Sequence, residues 1–236
     1  ANDSVYGTPV FRLVAGRSSC PWEDGTQHRE GVQLLSSTYY QEAEESSQAV
    51  YVLQLSNTSE SNEDMTYDLV FDHTSNPSGA IITIGGSPVV GNTPYTYTIP
   101  AFGSAYATIT VSKGPSAMQY NNLKFTLQSQ CDDQVSQDVY LSALFYKTYD
   151  LTVTQVGQGV TYPGNGVNNY REGSSVYLYA SPAAGNEFQK WIVGSDVYTD
   201  ASIAVSITEN ITATAYFVAT TATQYSLNVS VTGNGT

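Results

Sequence analysis

A chain of 236 residues is long enough for one large domain or two ordinary ones, and only 12% of its residues are charged. Its net charge of −13 argues against electrostatic partnership with nucleic acid or anionic lipid, and no apolar run approaches the roughly 20 residues of a membrane-spanning helix. The 19 tyrosines, with abundant Ser, Thr, Gly, Asn and Val, point to strands and turns rather than helices.

The start, ANDSVYGTPVF, lacks the basic and apolar regions of a signal peptide, so any such leader has been removed or lies upstream. Next comes CPWEDGTQHREG, from Cys20 to Gly31, which gathers a Cys, a Trp, a His and several charges in one short stretch. The segment YYQEAEESSQ that follows makes at most a single helical turn. Residues 48–146 then alternate with a period of two. Tyr67, Leu69 and Phe71 share one strand face, as do Leu123, Phe125 and Leu127, and Val139, Leu141, Ala143 and Phe145. AVYVLQL, GAIITIGG, YTYTIP and AYATITVS are further strands, bounded by Asn, Ser, Gly and Pro clusters. About seven short strands at this spacing predict an immunoglobulin-like antiparallel sandwich over residues 1–147.

From Tyr149 the texture changes with no flexible linker. YDLTVTQVGQG at 149–159 recurs as YSLNVSVTGNG at 225–235, each opening Tyr-x-Leu-x-Val and closing on Gly-x-Gly. The pattern predicts a small β repeat module over 148–218, then a linker and the first strand of a second repeat over 219–236. The final VTGNGT breaks off inside the pattern, as a segment of a longer protein would.

On Gly157, Gly159, Tyr170, Glu172-Gly173, Val176, Leu178, Ala180, Pro182, Gly185, Phe188, Trp191, Val205, Ala215 and Phe217, this stretch resembles the divergent InlB-type bacterial repeat. The resemblance implies a tandem module of a large secreted or surface protein. Phe188, Trp191 and Phe217 are its expected core, with Ala213, Ala215 and Phe217 alternating inward. FRLVAGRSSCPWEDGTQHREGVQL, SNPSGA, YTIPAFG and LQSQCD are similar to sandwich segments of large Bacteroidetes-like extracellular proteins, and no functional residue is carried over from them.

Cys20 and Cys131 are the only two cysteines, and an acidic, sandwich-rich chain favours a disulfide between them. The closed loop of roughly 110 residues is worth about 4 to 5 kcal/mol in chain entropy. The rival is a thioester from Cys20 to Gln27, which requires an unpaired Cys20. An intramolecular Lys-Asn isopeptide has few lysine donors to draw on. His28 and His73 lie too far apart for a zinc site; SNEDMTYD and CDDQ could contribute oxygen ligands to calcium but lack the EF-hand and RTX spacings, so solvated acidic loops are the default and neither metal nor cofactor is expected. No G-x-S-x-G elbow or phosphate loop is present, and Glu23 with Glu30 reads as exposed charge rather than a glycosidase pair. Catalytic residues are therefore not expected. Asn2, Asn57, Asn210, Asn228 and Asn234 head candidate glycosylation sequons.

The expectation is an all-β, non-enzymatic structural or adhesive segment of an extracellular or cell-surface bacterial protein, a building unit of a fibre in one version. Its partners would be copies of itself, neighbouring modules of the same chain, or a surface glycan or protein receptor. The alternative is a carbohydrate-binding accessory module of a secreted enzyme, using the clusters TYY, YTYT, YLY and FYKTY.

Overall fold

The computed structural model describes residues 30–60, 62–221, 227, 228, 230, 232 and 233. The chain divides into two units, Ala1–Tyr146 and Lys147–Thr236. Strands carry nearly all the regular structure among the described residues, and the only helical element is a 3-10 turn at His73–Ser75, capped by Asp72.

Among the described residues the first unit has ten strands: β1 (Val32–Ser36), β2 (Tyr40–Glu44), β3 (Gln48–Asn57), β4 (Met65–Phe71), β5 (Ile81–Ile84), β6 (Ser87–Pro88), β7 (Tyr95–Ile99), β8 (Ser104–Ser112), β9 (Gln119–Ser129) and β10 (Ser136–Tyr146). One sheet runs β1-β3-β8-β5-β6 and the other β2-β10-β9-β4-β7. In chain order, β1, β3, β8 and β5 occupy the A, B, E and D places of an immunoglobulin-type sandwich, and β4, β9 and β10 the C, F and G places. The period-two faces read from the sequence point inward. Tyr67, Leu69, Phe125, Leu127, Leu141 and Ala143 are all fully buried, and they meet Tyr51, Leu53 and Leu55 of β3 across the core.

The stretch from Tyr39 to Gln48 departs from its expected helical turn. It forms β2, which pairs in parallel with β10, Tyr40 beside Ser142 and Glu44 beside Tyr146. Only Ala43 of β2 points into the core, so the strand leaves almost no apolar alternation to read, and its backbone partners come from a strand about a hundred residues away. The Tyr40 hydroxyl donates to Glu42 Oε1 at 2.8 Å, a contact between residues two apart on one strand face.

Among its described residues the second unit has eight strands: β11 (Thr148–Val156), β12 (Gly159–Tyr162), β13 (Gly166–Arg171), β14 (Ser175–Pro182), β15 (Asn186–Val193), β16 (Asp196–Tyr198), β17 (Ser202–Ser206) and β18 (Ile211–Ala219). They form the sheets β13-β11-β18-β15-β16 and β12-β14-β17. Trp191, Leu178, Leu151, Val153, Ala213 and Ala215 are fully or almost fully buried between them, with Phe217 at the margin. A regular strand would send Phe188 and Trp191 to opposite faces. A bulge between Phe188 and Lys190 inserts the extra residue that turns both toward the core. The Phe188 ring then lies 6.2 Å from Trp191 and 6.1 Å from Phe217, and the Trp191 indole N–H donates to the Ala201 carbonyl at 3.3 Å.

The Gly-x-Gly after β11 follows from the same packing. A side chain at Gly157, where φ is +88°, would sit 2.1 Å from the Phe217 carbonyl oxygen, and one at Gly159 would sit 2.5 Å from the Phe217 ring. The β18 backbone and a positive φ require glycine at Gly157, and the Phe217 ring requires it at Gly159.

β11 and β18 are the first and last strands among the described residues of the unit, and they lie side by side and parallel in its larger sheet. Leu151 stands beside Ile211, Thr148 lies three positions before that pair, and Ala219 lies eight beyond it. At ~3.3 Å per strand residue, the chain enters at one end of the unit and leaves about 35 Å away along the strand direction.

Candidate functional site

The outer face of β12-β14-β17 is the most distinctive surface of the second unit. Val176, Leu178 and Ala180 of β14 point into the core, which turns Tyr177 and Tyr179 outward. Tyr162 of β12 stands directly opposite Tyr179, and Val160 is two residues along on the same face. β17 completes the face with Ser202, Ala204 and Ser206, and β14 adds Ser175 and Ser181. Tyr162 is 71% exposed, Tyr177 69% and Tyr179 52%. None of these positions carries a formal charge, although the chain is strongly acidic. Behind this face Tyr170 on β13 has its phenol pK raised, chiefly by burial and secondarily by the Tyr162 phenol.

Aromatic rings flanked by hydroxyls give a neutral surface two kinds of contact. The ring faces can lie against apolar, C–H-rich ligand faces, and the phenols and serines can exchange hydrogen bonds with ligand hydroxyls. The other tyrosine clusters divide. Tyr95 and Tyr97 of YTYT pack against the first unit's core, whereas Tyr39 and Tyr40 of TYY are exposed at 51% and 49%.

Asp68, Asp138 and Asp132 have structural roles. Asp68 Oδ1 accepts hydrogen bonds from the Thr96 hydroxyl at 2.7 Å and Gln130 Nε2 at 2.8 Å. Asp138 accepts from the Thr126 hydroxyl at 2.6 Å and pairs with Lys124 at 3.0 Å. Its partial burial opposes ionisation, but these contacts outweigh it and lower the Asp138 pK. In CDDQ, Asp132 accepts the Gln134 backbone N–H at 2.8 Å, a local turn contact. Among the described residues no three His, Cys, Asp or Glu side chains come close enough to hold a metal ion. His73 contacts the Gly91 carbonyl, and its ring meets Phe71 edge-on at 5.1 Å.

Glu23 lies outside the described residues, and Glu30 is not the exposed charge expected of it. Burial raises the Glu30 carboxyl above its ordinary value, Asp132 adds to the effect, and the Ser129 hydroxyl opposes it. The ionised form therefore costs the folded state stability. That cost is absent below the unfolded pK and grows as pH rises toward and through the folded value. Glu30→Gln should raise the thermal midpoint at pH 7, with the gain shrinking toward zero near pH 4. Melting curves across that range check the sign, and a midpoint lowered at pH 7 would contradict it.

Cys131 is buried at the end of β9, and its N–H donates to the Ser129 hydroxyl at 3.0 Å. Its expected partner Cys20, with Gln27, His28, Asn2 and Asn234, lies outside the described residues. Asn210 and Asn228 are exposed, and Asn210 Oδ1 accepts the Asp150 N–H at 2.8 Å.

Asn57, which heads the Asn57-Thr58-Ser59 sequon, also has a structural role. It is 1% exposed, and its Nδ2 protons are shared among the carbonyls of Glu63, Ile99 and Pro100 at 3.0, 3.1 and 3.3 Å. Its Oδ1 accepts the Ser59 N–H at 3.0 Å and lies 3.0 Å from the Tyr67 hydroxyl, which is also 2.9 Å from the Gly31 carbonyl. A glycan on Nδ2 would break the donor side of this network. No local pattern distinguishes such an asparagine, because its partners come from distant loops.

No curated protein matches the chain. Among solved structures, an ASH / PapD-like domain of human CEP192 aligns at 12% identity and TM-score 0.32, covering 59% of this chain and 97% of that one. BcpA, the major pilin subunit of Bacillus cereus, aligns at 12% identity and TM-score 0.28, covering 82% and 71%. Its D312A form aligns at 14% and 0.30, covering 80% and 69%. Residues 149–221 match the family model of the divergent InlB B-repeat domain.

Proposed function

We propose that this chain is a non-enzymatic spacer segment of a large secreted or cell-surface protein, in which modules follow one another end to end. The observation that carries the reading is the parallel pairing of β11 with β18, which takes the chain in at one end of the repeat and out at the other. An antiparallel pairing of first and last strands would return the chain to its starting end. The match of residues 149–221 to a B-repeat domain supports the reading, as does the single residue, Lys147, between β10 and β11.

On this reading YSLNVSVTGNG is the opening strand of a second repeat, and Cys20 pairs with Cys131 to tie the N-terminal loop to the end of β9. The partners are further modules of the same chain and other copies of it. Appending two more copies of residues 148–224 tests the reading. Electron micrographs should show particles that lengthen by a constant step with each copy, and particles that thicken without lengthening would refute it.

A second reading rests on the uncharged tyrosine face: the repeat holds a neutral glycan against Tyr162, Tyr177 and Tyr179. It predicts glycan-array binding that falls at least about tenfold in Tyr162→Ala or Tyr179→Ala while the thermal midpoint stays nearly unchanged, since both side chains are outside the core. An array with no bound glycan removes this reading and leaves the spacer intact.

A further inference from the structure

We infer that the second unit is a tension-resisting module whose parallel β11–β18 pair works as a shear clamp against tension along the chain; the inference rests on the spacer reading for its setting and on the strand register and packing for its mechanics. Tension enters at Thr148 and leaves at Ala219, at opposite ends of two adjacent parallel strands. It therefore pulls β11 and β18 past each other lengthwise. Strand hydrogen bonds lie across the direction of that pull, so the paired stretch from Leu151–Ile211 to Val156–Tyr216 must yield together. Neither strand is an edge. β11 is also paired with β13 from Thr148 to Val153, and β18 with β15 from Ala213 to Ala219, so neither can peel away from the side.

Side chains brace the same interface. Leu151 and Val153 of β11 and Ala213 and Ala215 of β18 are fully buried beneath it, so sliding must drag them through the packed core around Trp191. On the other surface, the hydroxyls of Thr154 and Thr214 meet across the two strands at 2.8 Å. Beyond the end of β11, Gly157 lies against the Phe217 carbonyl and Gly159 under its ring, so β18 cannot advance without displacing that ring from its seat.

A different line of pull through the same unit has the opposite mechanics. Lys147 and Glu172 are neighbours, the Glu172 N–H donating to the Lys147 carbonyl at 2.9 Å, and Thr148 stands opposite Arg171. Separating these two points opens the β11–β13 ladder one pair at a time from its end. Forced unfolding reads the unfolding barrier, so the two directions should differ although the equilibrium stability is identical.

Single-molecule stretching of the full chain tests this. One preparation carries handles at the two termini. The other carries one at the N-terminus and one on an azide-bearing residue in place of Glu172, which leaves both cysteines untouched. In the first, opening of residues 148–219 is recognised by release of roughly 220 Å of chain at ~3.5 Å per extended residue. At equal loading rate, the force of that event should be at least about twofold higher than the force that opens the β11–β13 ladder in the second. A ratio below about twofold, or a reversed one, overturns the clamp. Failure of appended copies to lengthen the particle would remove the spacer setting without touching this ratio, so the two failures are distinguishable.

Discussion

Trp191→Ala is expected to unfold the second unit while the first stays folded. Trp191 is fully buried at the centre of an apolar cluster formed by β11, β14, β15, β17 and β18, and its indole also holds the Ala201 carbonyl. Truncation removes the largest side chain of a small core and leaves a cavity bordered by Phe188, which depends on the indole for its own packing. The cost is about 3 to 5 kcal/mol, of the order of the whole stability of a module of this size. The first unit has a buried cluster of its own. An amide NMR spectrum should lose the dispersion of residues 148–219 and keep that of the first unit. Retention of both sets would show that the β15 bulge and its aromatic trio are not the keystone of the repeat.

The second large effect is expected at a polar residue. Asn57→Ala removes a side chain that bonds three carbonyls and one N–H while touching the Tyr67 hydroxyl, all close to the protein interior. Alanine leaves those groups without their partner at a site that is buried at Ile99 and part-buried at Glu63 and Pro100, which costs about 3 kcal/mol. Tyr67→Phe deletes only the hydroxyl and should cost about 1 to 2 kcal/mol. Burial of that hydroxyl raises the Tyr67 pK well above the usual phenol value, with the Glu30 charge adding to the shift. Urea denaturation of the first unit separates the cases, and an Asn57→Ala loss under about 1 kcal/mol would show that the loops find other partners.

These two residues also mark the limits of reading the sequence. Trp191 and Phe217 were legible as core because large aromatics beside period-two strands have few other uses, and the alternation around Tyr67, Phe125 and Leu141 exposed the sandwich directly. Asn57 was not legible, because its sequon is visible locally while its partners at Glu63, Ile99 and Pro100 become neighbours only in the fold. β2 was missed for a related reason: a strand with one inward residue carries no period, and its pairing with β10 is long-range. The bulge that turns both Phe188 and Trp191 inward leaves no mark in the residue pattern.

The candidate surface was half legible. VYLYA shows a strand with Tyr at every second position, yet alternation alone does not say whether the tyrosines or the Val, Leu and Ala face the core. The structure resolves it because Val176, Leu178 and Ala180 meet the β11–β18 sheet, leaving Tyr177 and Tyr179 outside with Tyr162 opposite. Gly157 and Gly159 were visible as a motif, and their reason, contact with Phe217 from the far end of the repeat, was visible only in the fold.

The account turns on entry and exit at opposite ends of the repeat. The most direct measurement is a distance between spin labels placed at Lys147 and Thr220 in the full chain. Parallel β11 and β18 in the observed register predict about 40 Å at ~3.3 Å per residue. A distribution centred below about 20 Å would place the two ends together, and would contradict both the spacer and the clamp.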